Sequence, residues 1–467
     1  MLVRQECTRL LRRSPARLAL LVLYTALAVW AGIDGLHWKR ALAQAQHDRP
    51  ADLRQERSAW MADLERVLSS ETSSPFEARP MNLTLLAVLP PGPLAELSHQ
   101  RESIHPHTAL ISGWQSDASL FRRYEVEGSS ALSMRGLDLT YLAVVLFPLV
   151  LLLSTFDVLS AERHTGRLRL LMVQGARPAL LVLARLVTIA VPVWLVTSAV
   201  AVVVALVGQE ADGNLGRLAL WLAAFTGYAA LWAAAAGWIA ARCARSSDPA
   251  MAAMAAVTAW VVVVLLVPSF AQFAAEAVYP TPSRVAYLTQ ARQAEAQSRR
   301  ELEQRAEVYM AEHDIHAGSA DQAVPGFFRA SYLANININS STAPLVARFE
   351  EQRAAQAAVA DRIELAAPTM LAYRILQDAA GVGAERAADY RRQVREHLKV
   401  LHEAVGPATV GRSRLTLDQA RAIPDFRFVE PAVPSSAWWG VAWLLALAVG
   451  VGAMARRAAR RVAPLDS

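Results

Sequence analysis

The chain has 467 residues, of which 54% are hydrophobic and only 19% are charged. Its mean hydropathy of +0.24 excludes an ordinary soluble protein and indicates an integral membrane protein with sizeable polar parts. The formal net charge is +6, but the arginines stand mostly beside apolar runs, so membrane topology explains the excess more simply than nucleic-acid binding does.

The first 34 residues predict a helix in the membrane interface followed by the first span. Residues 1–15 place arginines opposite an apolar face, which is typical of an amphipathic helix at the cytoplasmic interface. Residues 16–34 predict TM1, which we expect to be retained because no small-x-small cleavage site follows it. Cys7 and Cys243 both fall in segments expected in the cytoplasm, so we expect no disulfide.

Residues 35–136 form a polar insert on the extracytoplasmic side. Apolar residues within 53–68 recur at helical spacing, and Pro75 is expected to break that helix. Residues 82–89 predict an extended segment, which a rigid Pro-Gly turn follows. The insert is long enough for half of a small domain, and we do not expect it to fold alone.

Four further spans follow this insert. Pro148 predicts a kink, Arg185 is expected to reach the headgroups, and Asp138 and Asp157 are expected to be solvated at span ends. The segments in order are TM2 at 137–159, a cytoplasmic loop at 160–178, TM3 at 179–207, a short outer loop at 208–216, TM4 at 217–241, a cytoplasmic loop at 242–249 and TM5 at 250–271.

A second polar insert, residues 272–434, precedes the last span and has a strongly helical pattern. TM6 is predicted at 435–455, after which a basic tail runs from 456 to 467. Within the insert, helices are predicted at 285–310, 345–365, 370–380 and 384–405, with a polar break at 335–341 and a turn at 381–383.

Together these segments predict an all-α polytopic membrane protein. It has about six transmembrane helices and a mainly helical extracytoplasmic domain built from the two inserts. Arginines flank the spans at the N-terminus, both inner loops and the C-terminus. We therefore expect both termini in the cytoplasm and the chain in a bacterial inner membrane.

The loop at 160–178, called the basic loop below, combines arginines with an amphipathic segment. Residues 167–174 predict a short helix that shows Leu168, Leu171 and Met172 on one side, with Thr165 as N-cap and Gly175 as C-terminal stop. On its own, the loop also fits a positively charged turn that only fixes topology.

The chain lacks the sequence motifs by which a membrane protein would hydrolyse ATP, couple to protons or act as a hydrolase. It has no phosphate-binding P-loop, no zinc protease motif and no serine hydrolase elbow, and its spans hold almost no acids. Two histidine groups remain, His99 with His105 and His107, and His313 with His316. Solvated surface histidines explain both groups better than a metal site does, so we expect no metal and no cofactor in this chain.

The basic loop also carries a family resemblance. Leu159-Ser160-Ala161-Glu162-Arg163, Gly166-Arg167-Leu168 and Leu170-Leu171 resemble the S-x-E-R-x-x-G-x-L-x-x-L pattern of type-2 ABC exporter permeases. In that family the region is a coupling helix that docks on a separate ATPase subunit. The resemblance implies this docking role for six residues of the loop: Glu162, Arg163, Gly166, Arg167, Leu168 and Leu171.

Stretches in both inserts narrow the resemblance to an uncharacterised branch of these permeases with large extracytoplasmic inserts after the first and fifth spans. Arg167 stands where the family usually has Thr, and Ala367 stands where it usually has Ser before Pro. The stretches are Pro91-Gly92-Pro93-Leu94-Ala95-x-Leu97-Ser98, Leu120-Phe121-Arg122, Ala367-Pro368-Thr369, Gln377-Asp378-Ala379-Ala380-Gly381 and Ile423-Pro424-Asp425-Phe426.

The resemblance implies a permease subunit that is not itself an enzyme. It would dimerise with a second copy or a related permease, bind two ATPase subunits that hold ATP and Mg, and export a substrate. A different class remains open: a mechanical transducer that moves the extracytoplasmic domain on a periplasmic protein without translocation, as the size of the second insert suggests. We expect contact with the lipid bilayer and none with nucleic acid.

Overall fold

A computed structural model describes residues 15–69, 76–99, 107–117, 120, 137–174, 177–208, 214–243, 249–280, 284–315 and 325–461. The amphipathic helix predicted for residues 1–15 lies outside these ranges except for Pro15, and so does the tail beyond Arg461.

Six helical stretches in the described part of the chain are long and apolar enough to cross a membrane, which confirms the all-α polytopic class. The candidate spans are Pro15–Gln46, Leu139–His164, Pro178–Val207, Leu215–Cys243, Ala250–Ala275 and Ser436–Arg460. Arg17, Arg163, Arg242 and Arg456 lie at the same end of these spans; we call this end the basic side and the other end, which carries both inserts, the insert side.

The described helices and strands are numbered here in chain order. They are α1 (Pro15–Ser69), β1 (Thr84–Val88), β2 (Thr108–Ser112), α2 (Leu139–Tyr141), α3 (Phe147–Thr155), α4 (Ser160–His164), α5 (Arg167–Val173), α6 (Pro178–Val207), α7 (Leu215–Cys243), α8 (Pro249–Trp260), α9 (Val267–Val278), α10 (Arg284–Arg300), α11 (Leu302–Glu312), α12 (Phe327–Glu364), α13 (Pro368–Ala380), α14 (Ala384–Val410), α15 (Leu417–Ala422) and α16 (Ser436–Arg460).

The first helix does not end where TM1 was predicted to end. α1 continues without a break for 55 residues, about 80 Å at the usual rise, whereas the hydrocarbon core of a bilayer is about 30 Å thick. Because polar residues after Asp34 keep good helix propensity, leaving the membrane changes the character of the helix surface and does not stop the helix. One continuous helix therefore joins the basic side to the insert domain.

Two spans change from α to π geometry just before a proline. Leu142–Leu146 forms a π-helical segment ahead of Pro148, and Val261–Leu266 forms another ahead of Pro268. Proline removes one backbone donor and crowds the preceding turn, and a wider turn relieves that crowding. The irregularity predicted at Pro148 thus takes the form of a π segment.

The polar break predicted at residues 335–341 is wrong, because α12 passes through it. Side chains of this stretch bond to neighbouring segments and so do not compete with the helix backbone. The Asn337 side chain donates to the Ala294 carbonyl (2.6 Å), and the Asn339 side chain accepts from the backbone N–H of Asp117 (2.9 Å).

The two inserts share one hydrophobic core, as expected for two halves of a domain. The extended segment predicted at 82–89 is confirmed as β1, which pairs antiparallel with β2, with Thr84 opposite Ser112. β2 was not predicted. The Tyr390 hydroxyl of α14 donates to the carbonyl of Ala87 in β1 (3.0 Å), and Trp60 of α1 is buried in the same core.

Small residues let α7 lie close to its neighbours in the membrane bundle. A Cβ at Gly227 would lie 3.3 Å from the Cβ of Leu444, and one at Gly237 would lie 3.2 Å from Leu186. The glycines therefore allow α16 and α6 to approach α7 closely, as expected for helices packed in a membrane.

Two expectations about charged residues at span ends are wrong. Asp138 is fully buried, because its side chain accepts from the Tyr141 N–H (2.6 Å) and caps the start of α2. Arg185 is only 3% exposed, so it does not extend to the headgroups; it lies on the buried face of α6.

His402 makes the stability of the insert domain depend on pH. It is buried in α14 against Tyr332, and burial lowers its pKa from 6.5 to about 4, although backbone groups of Ser112 and Gln115 oppose the shift. Above about pH 6.5 the ring is neutral in both states. As pH falls from there towards about 4, the unfolded chain binds the proton first, so folding loses stability, by up to roughly 3 kcal/mol.

We predict that His402→Gln flattens the fall in thermal stability between about pH 6.5 and pH 4. Val400→Gln, which introduces the same side chain at an exposed position of α14 and removes no titratable group, should leave the wild-type profile unchanged. The measurement is thermal unfolding of the full chain in detergent across this pH range. Parallel profiles for wild type and His402→Gln would show that His402 does not titrate in this window.

Candidate functional site

The basic loop folds into two short helices joined by a left-handed glycine. Gly166 has φ 69° and ψ −2°, a conformation that favours glycine, and it separates α4 from α5. Thr165 is not the predicted N-cap of α5: its hydroxyl donates backwards to the carbonyls of Ala161 (3.0 Å) and Glu162 (3.3 Å), closing α4. Gly175, the predicted stop, lies outside the described residues, and α5 ends at Val173.

The residues assigned to docking divide between a buried and an exposed side of the loop. Glu162 and Leu168 are 5% and 6% exposed, and Leu171 packs partly against the bundle core. Gly166 and Arg167 are exposed, and Arg163 is half-buried. Leu168 and Leu171, to which the resemblance assigns docking, therefore hold α5 to the bundle.

Two residues that sequence reasoning did not select form the exposed apolar edge of α5. Leu170 is 64% exposed and Val173 is 82% exposed. They lie three positions apart, so they share one face of the helix, beside Arg167. Helical periodicity contains this signal, but only the fold shows which face packs inward.

An ion pair holds the loop to the start of α1. Nη2 of Arg17 lies 2.6 Å from both carboxylate oxygens of Asp157, which directly precedes the loop, and both side chains are about one-fifth exposed. Asp157 is therefore paired and not simply solvated as expected. This contact connects the start of α1 to the segment that leads into α4.

At the insert side, Lys39 of α1 joins three segments. Its ammonium donates to Oε2 of Glu96 (2.7 Å), to the carbonyl of Pro93 (3.1 Å) and to the carbonyl of Gly208 at the end of α6 (3.1 Å). These bonds use all three donors of the ammonium. The Glu96 carboxyl is fully buried; burial raises its pKa, and Lys39 acts against that rise.

Close backbone contacts surround this lysine. A Cβ at Gly35 of α1 would lie 2.0 Å from the backbone oxygen of Glu96, and one at Gly92 would lie 2.5 Å from that of Gly381. Leu94 also donates its N–H to the carbonyl of Ala380 (3.0 Å). The structure thus brings together two of the stretches that carry the family resemblance, one from each insert.

An arginine pair connects α7 to the second insert. Arg217 donates to the carbonyls of Asp378 (3.0 Å) and Pro431 (3.1 Å) and lies 3.6 Å from Glu430. Arg386 of α14 is 2.9 Å from both oxygens of Glu430 and also donates to the carbonyl of Pro90. We call the contacts of Lys39 and Arg217 together the insert junction.

The candidate histidines do not assemble a metal centre in the described part of the chain. No group of three or more His, Cys, Asp or Glu side chains there has the arrangement to hold a metal ion. His99 stacks on Trp38 at 5.6 Å and lies 3.4 Å from Asp34, while His105 and His316 lie outside the described residues.

Comparison with known proteins gives one match. Residues 284–429 match a family model described as a domain of unknown function (DUF3526). The matched segment runs from the start of α10 to the residue before Glu430, so it covers most of the second insert and none of the spans. No curated protein and no solved structure matches the chain.

The sequence contains only a weak indication of the contacts at the insert junction. Glu96 is a lone acid in the apolar, proline-rich stretch Pro91–Ser98, and Lys39 follows closely after an apolar span. A buried acid requires a partner, but 57 residues separate it from Lys39, so spacing does not identify the pair.

We predict that Arg17→Ala and Asp157→Ala each lower the thermal stability of the full chain in detergent. Because the two residues form one contact, the double variant should be no less stable than the worse single variant, with a coupling energy of about 1 kcal/mol. Additive losses would show that the pair does not hold the loop to α1.

We predict that Glu96→Ala is strongly destabilising, by about 3–5 kcal/mol, because it leaves a largely buried ammonium without its carboxylate. Glu96→Leu combined with Lys39→Met should recover much of that loss, since an apolar pair removes both buried charges. Glu56→Ala, at an exposed position of α1, is the matched control. The contradicting result is a Glu96→Ala protein with the thermal stability of that control.

Proposed function

We propose that this chain is the membrane subunit of an ATP-driven complex, coupled through its basic loop to a separate ATPase. The main support for this proposal is the exposed edge of α5, where Arg167, Leu170 and Val173 lie beyond the end of a span. Large apolar side chains exposed beside positive charge on an anchored helix are typical of an interaction surface. The resemblance of the loop to the coupling helix of type-2 ABC exporter permeases supports an ATPase as the partner.

The charge distribution supports a cytoplasmic position for this loop. Arg163, Arg167, Arg177, Arg242 and Arg456 all lie on the basic side. Positive residues in short loops are retained in the cytoplasm. Both ends of the chain then face the cytoplasm, and both inserts face the opposite side of a bacterial inner membrane.

In this proposal the ATPase moves the basic loop as a rigid body. Closure of two ATPase subunits around ATP and Mg would press on α5, and the buried side chains Leu168 and Glu162 would transmit the displacement to the bundle. The Arg17–Asp157 pair would carry it to α1. With a second permease chain, identical or related, such a displacement opens a path for an exported substrate.

One observation favours the alternative function of a mechanical transducer. α1 runs unbroken from the basic loop's ion pair, past Lys39, into the core of the insert domain at Trp60 and Leu64. Movement at the basic side would therefore act directly on the insert domain. In that case ATP hydrolysis would drive a movement of the insert domain that acts on an extracytoplasmic protein, and no substrate would cross the membrane.

We predict that Leu170→Asp uncouples the partner ATPase from this chain. The introduced carboxylate would be buried against the ATPase, but it causes no loss of packing within this chain because Leu170 is exposed. Co-purification and ATPase activity in lipid nanodiscs should both fall by at least about tenfold, the effect of about 1.4 kcal/mol.

Val400→Asp, which places the same charge on an exposed apolar position of α14, is the control and should bind the ATPase normally. Glu162→Lys is a poor test because Glu162 is buried, so the change would disturb packing within this chain. Wild-type ATPase binding and stimulation by Leu170→Asp would show that α5 is not the docking surface.

We predict that Ala45→Pro separates the two candidate functions. Proline at this exposed position of α1 removes a helix bond and kinks the helix between membrane and domain, at a cost of about 3 kcal/mol. A transducer should then keep ATPase activity and lose its effect on the extracytoplasmic partner. Ala45→Leu, which preserves the helix, is the control; equal loss in both variants would argue against transmission through α1.

A further inference from the structure

A groove with a volume of about 800 Å³ opens on the surface of the membrane bundle between α6, α7 and α16. Its floor is made of small residues, among them Ala229, Ala233 and Gly237 of α7. A Cβ at Gly452 of α16 would meet only the Cβ of Ala234, at 3.9 Å, so space remains open there. Among the described residues that line the groove, none is acidic.

The groove extends over one half of the bilayer. Along α6 its lining runs from Ala179, one residue after the helix begins, to Trp194. This distance is about 22 Å at the usual helical rise, and one leaflet including its headgroups is about 20 Å thick. The groove therefore spans the leaflet on the basic side and stops near the middle of the membrane.

The two ends of the groove differ in chemistry. At the deep end, Trp194 donates its ring N–H to the Thr226 hydroxyl (3.0 Å), which joins α6 to α7. At the shallow end the lining includes Arg456, which is exposed, and Arg177 is exposed at the adjoining start of α6. An apolar channel thus leads inward from a pair of cations at headgroup level.

We propose that this groove binds one acyl chain of an anionic phospholipid from the leaflet on the basic side, with the lipid phosphate at Arg456. The small residues provide the width for a hydrocarbon chain, and the length matches one leaflet. Arg456 supplies the charge that complements a phosphate and an anionic headgroup. This inference goes beyond the proposed function and does not depend on it.

The shape of the groove argues against a helix from a second copy as its occupant. A transmembrane helix is about 10 Å wide and crosses both leaflets. A groove that holds such a helix would therefore continue along the insert-side halves of α6 and α16. The lining instead ends at Trp194 on α6 and begins only at Gly452 on α16.

The test uses the full chain in phosphatidylcholine vesicles that contain a minor fraction of phosphatidylglycerol with a photoreactive group at the end of one acyl chain. After irradiation, labelled peptides are identified by mass spectrometry. We expect the label near Trp194 and Thr226, with less label from a phosphatidylcholine probe of the same design. Label spread evenly over the lipid-facing residues of all spans would overturn the proposal, and so would cross-links between two copies across the groove.

Two adjacent arginines provide a matched pair of variants. Arg456→Ala should reduce labelling at the groove about fivefold, the effect of about 1 kcal/mol per basic residue at an anionic surface. Arg457→Ala should not, because Arg457 is also exposed but does not line the groove. Both changes are at the surface, so folding is preserved. Equal labelling of the two variants would show that no lipid phosphate is bound at Arg456.

Discussion

The structure depends on one ammonium group, that of Lys39, where the membrane bundle meets the insert domain. Its three donors are used by oxygens from two other segments: Pro93 and Glu96 of the stretch Pro91–Ser98, and Gly208 at the end of α6. Lysine and glutamate are rarely buried unless they are paired, because each charge loses its hydration. A shift of α1 away from the first insert would separate these charges, and a shift away from α6 would break the bond to Gly208, so Lys39 connects the three segments.

Helix α1 is the element that connects the basic side of the bundle to the insert domain. The helix is fixed next to the basic loop by the Arg17–Asp157 pair at one end and by Lys39 on the insert side. Beyond that point it contributes Trp60 and Leu64 to a core shared by both inserts. The second insert has its own attachment, since Arg217 of α7 binds the carbonyls of Asp378 and Pro431. The basic side of the bundle and the insert domain thus have two direct structural connections, through α1 and through α7.

Sequence reasoning succeeded where one local property decides the structure. The spans follow from apolar length, and the turn after α13 follows from Gly381, whose φ of 72° ends that helix. It failed where tertiary partners decide: the polar stretch at 335–341 stays helical because Asn337 bonds to Ala294. In the candidate site, the position and amphipathic character of the loop were predictable. Its exposed residues were not, since a seven-residue helix does not show from sequence which face packs inward.

The proposed function requires that α5 presents a docking surface for an ATPase. The most direct measurement is co-purification of the full chain with an ABC ATPase subunit, followed by ATPase assay in lipid nanodiscs. We expect a stable complex whose formation depends on the exposed apolar edge formed by Leu170 and Val173. If the chain bound no ATPase, the docking role of α5 would be wrong, and only the membrane topology would remain.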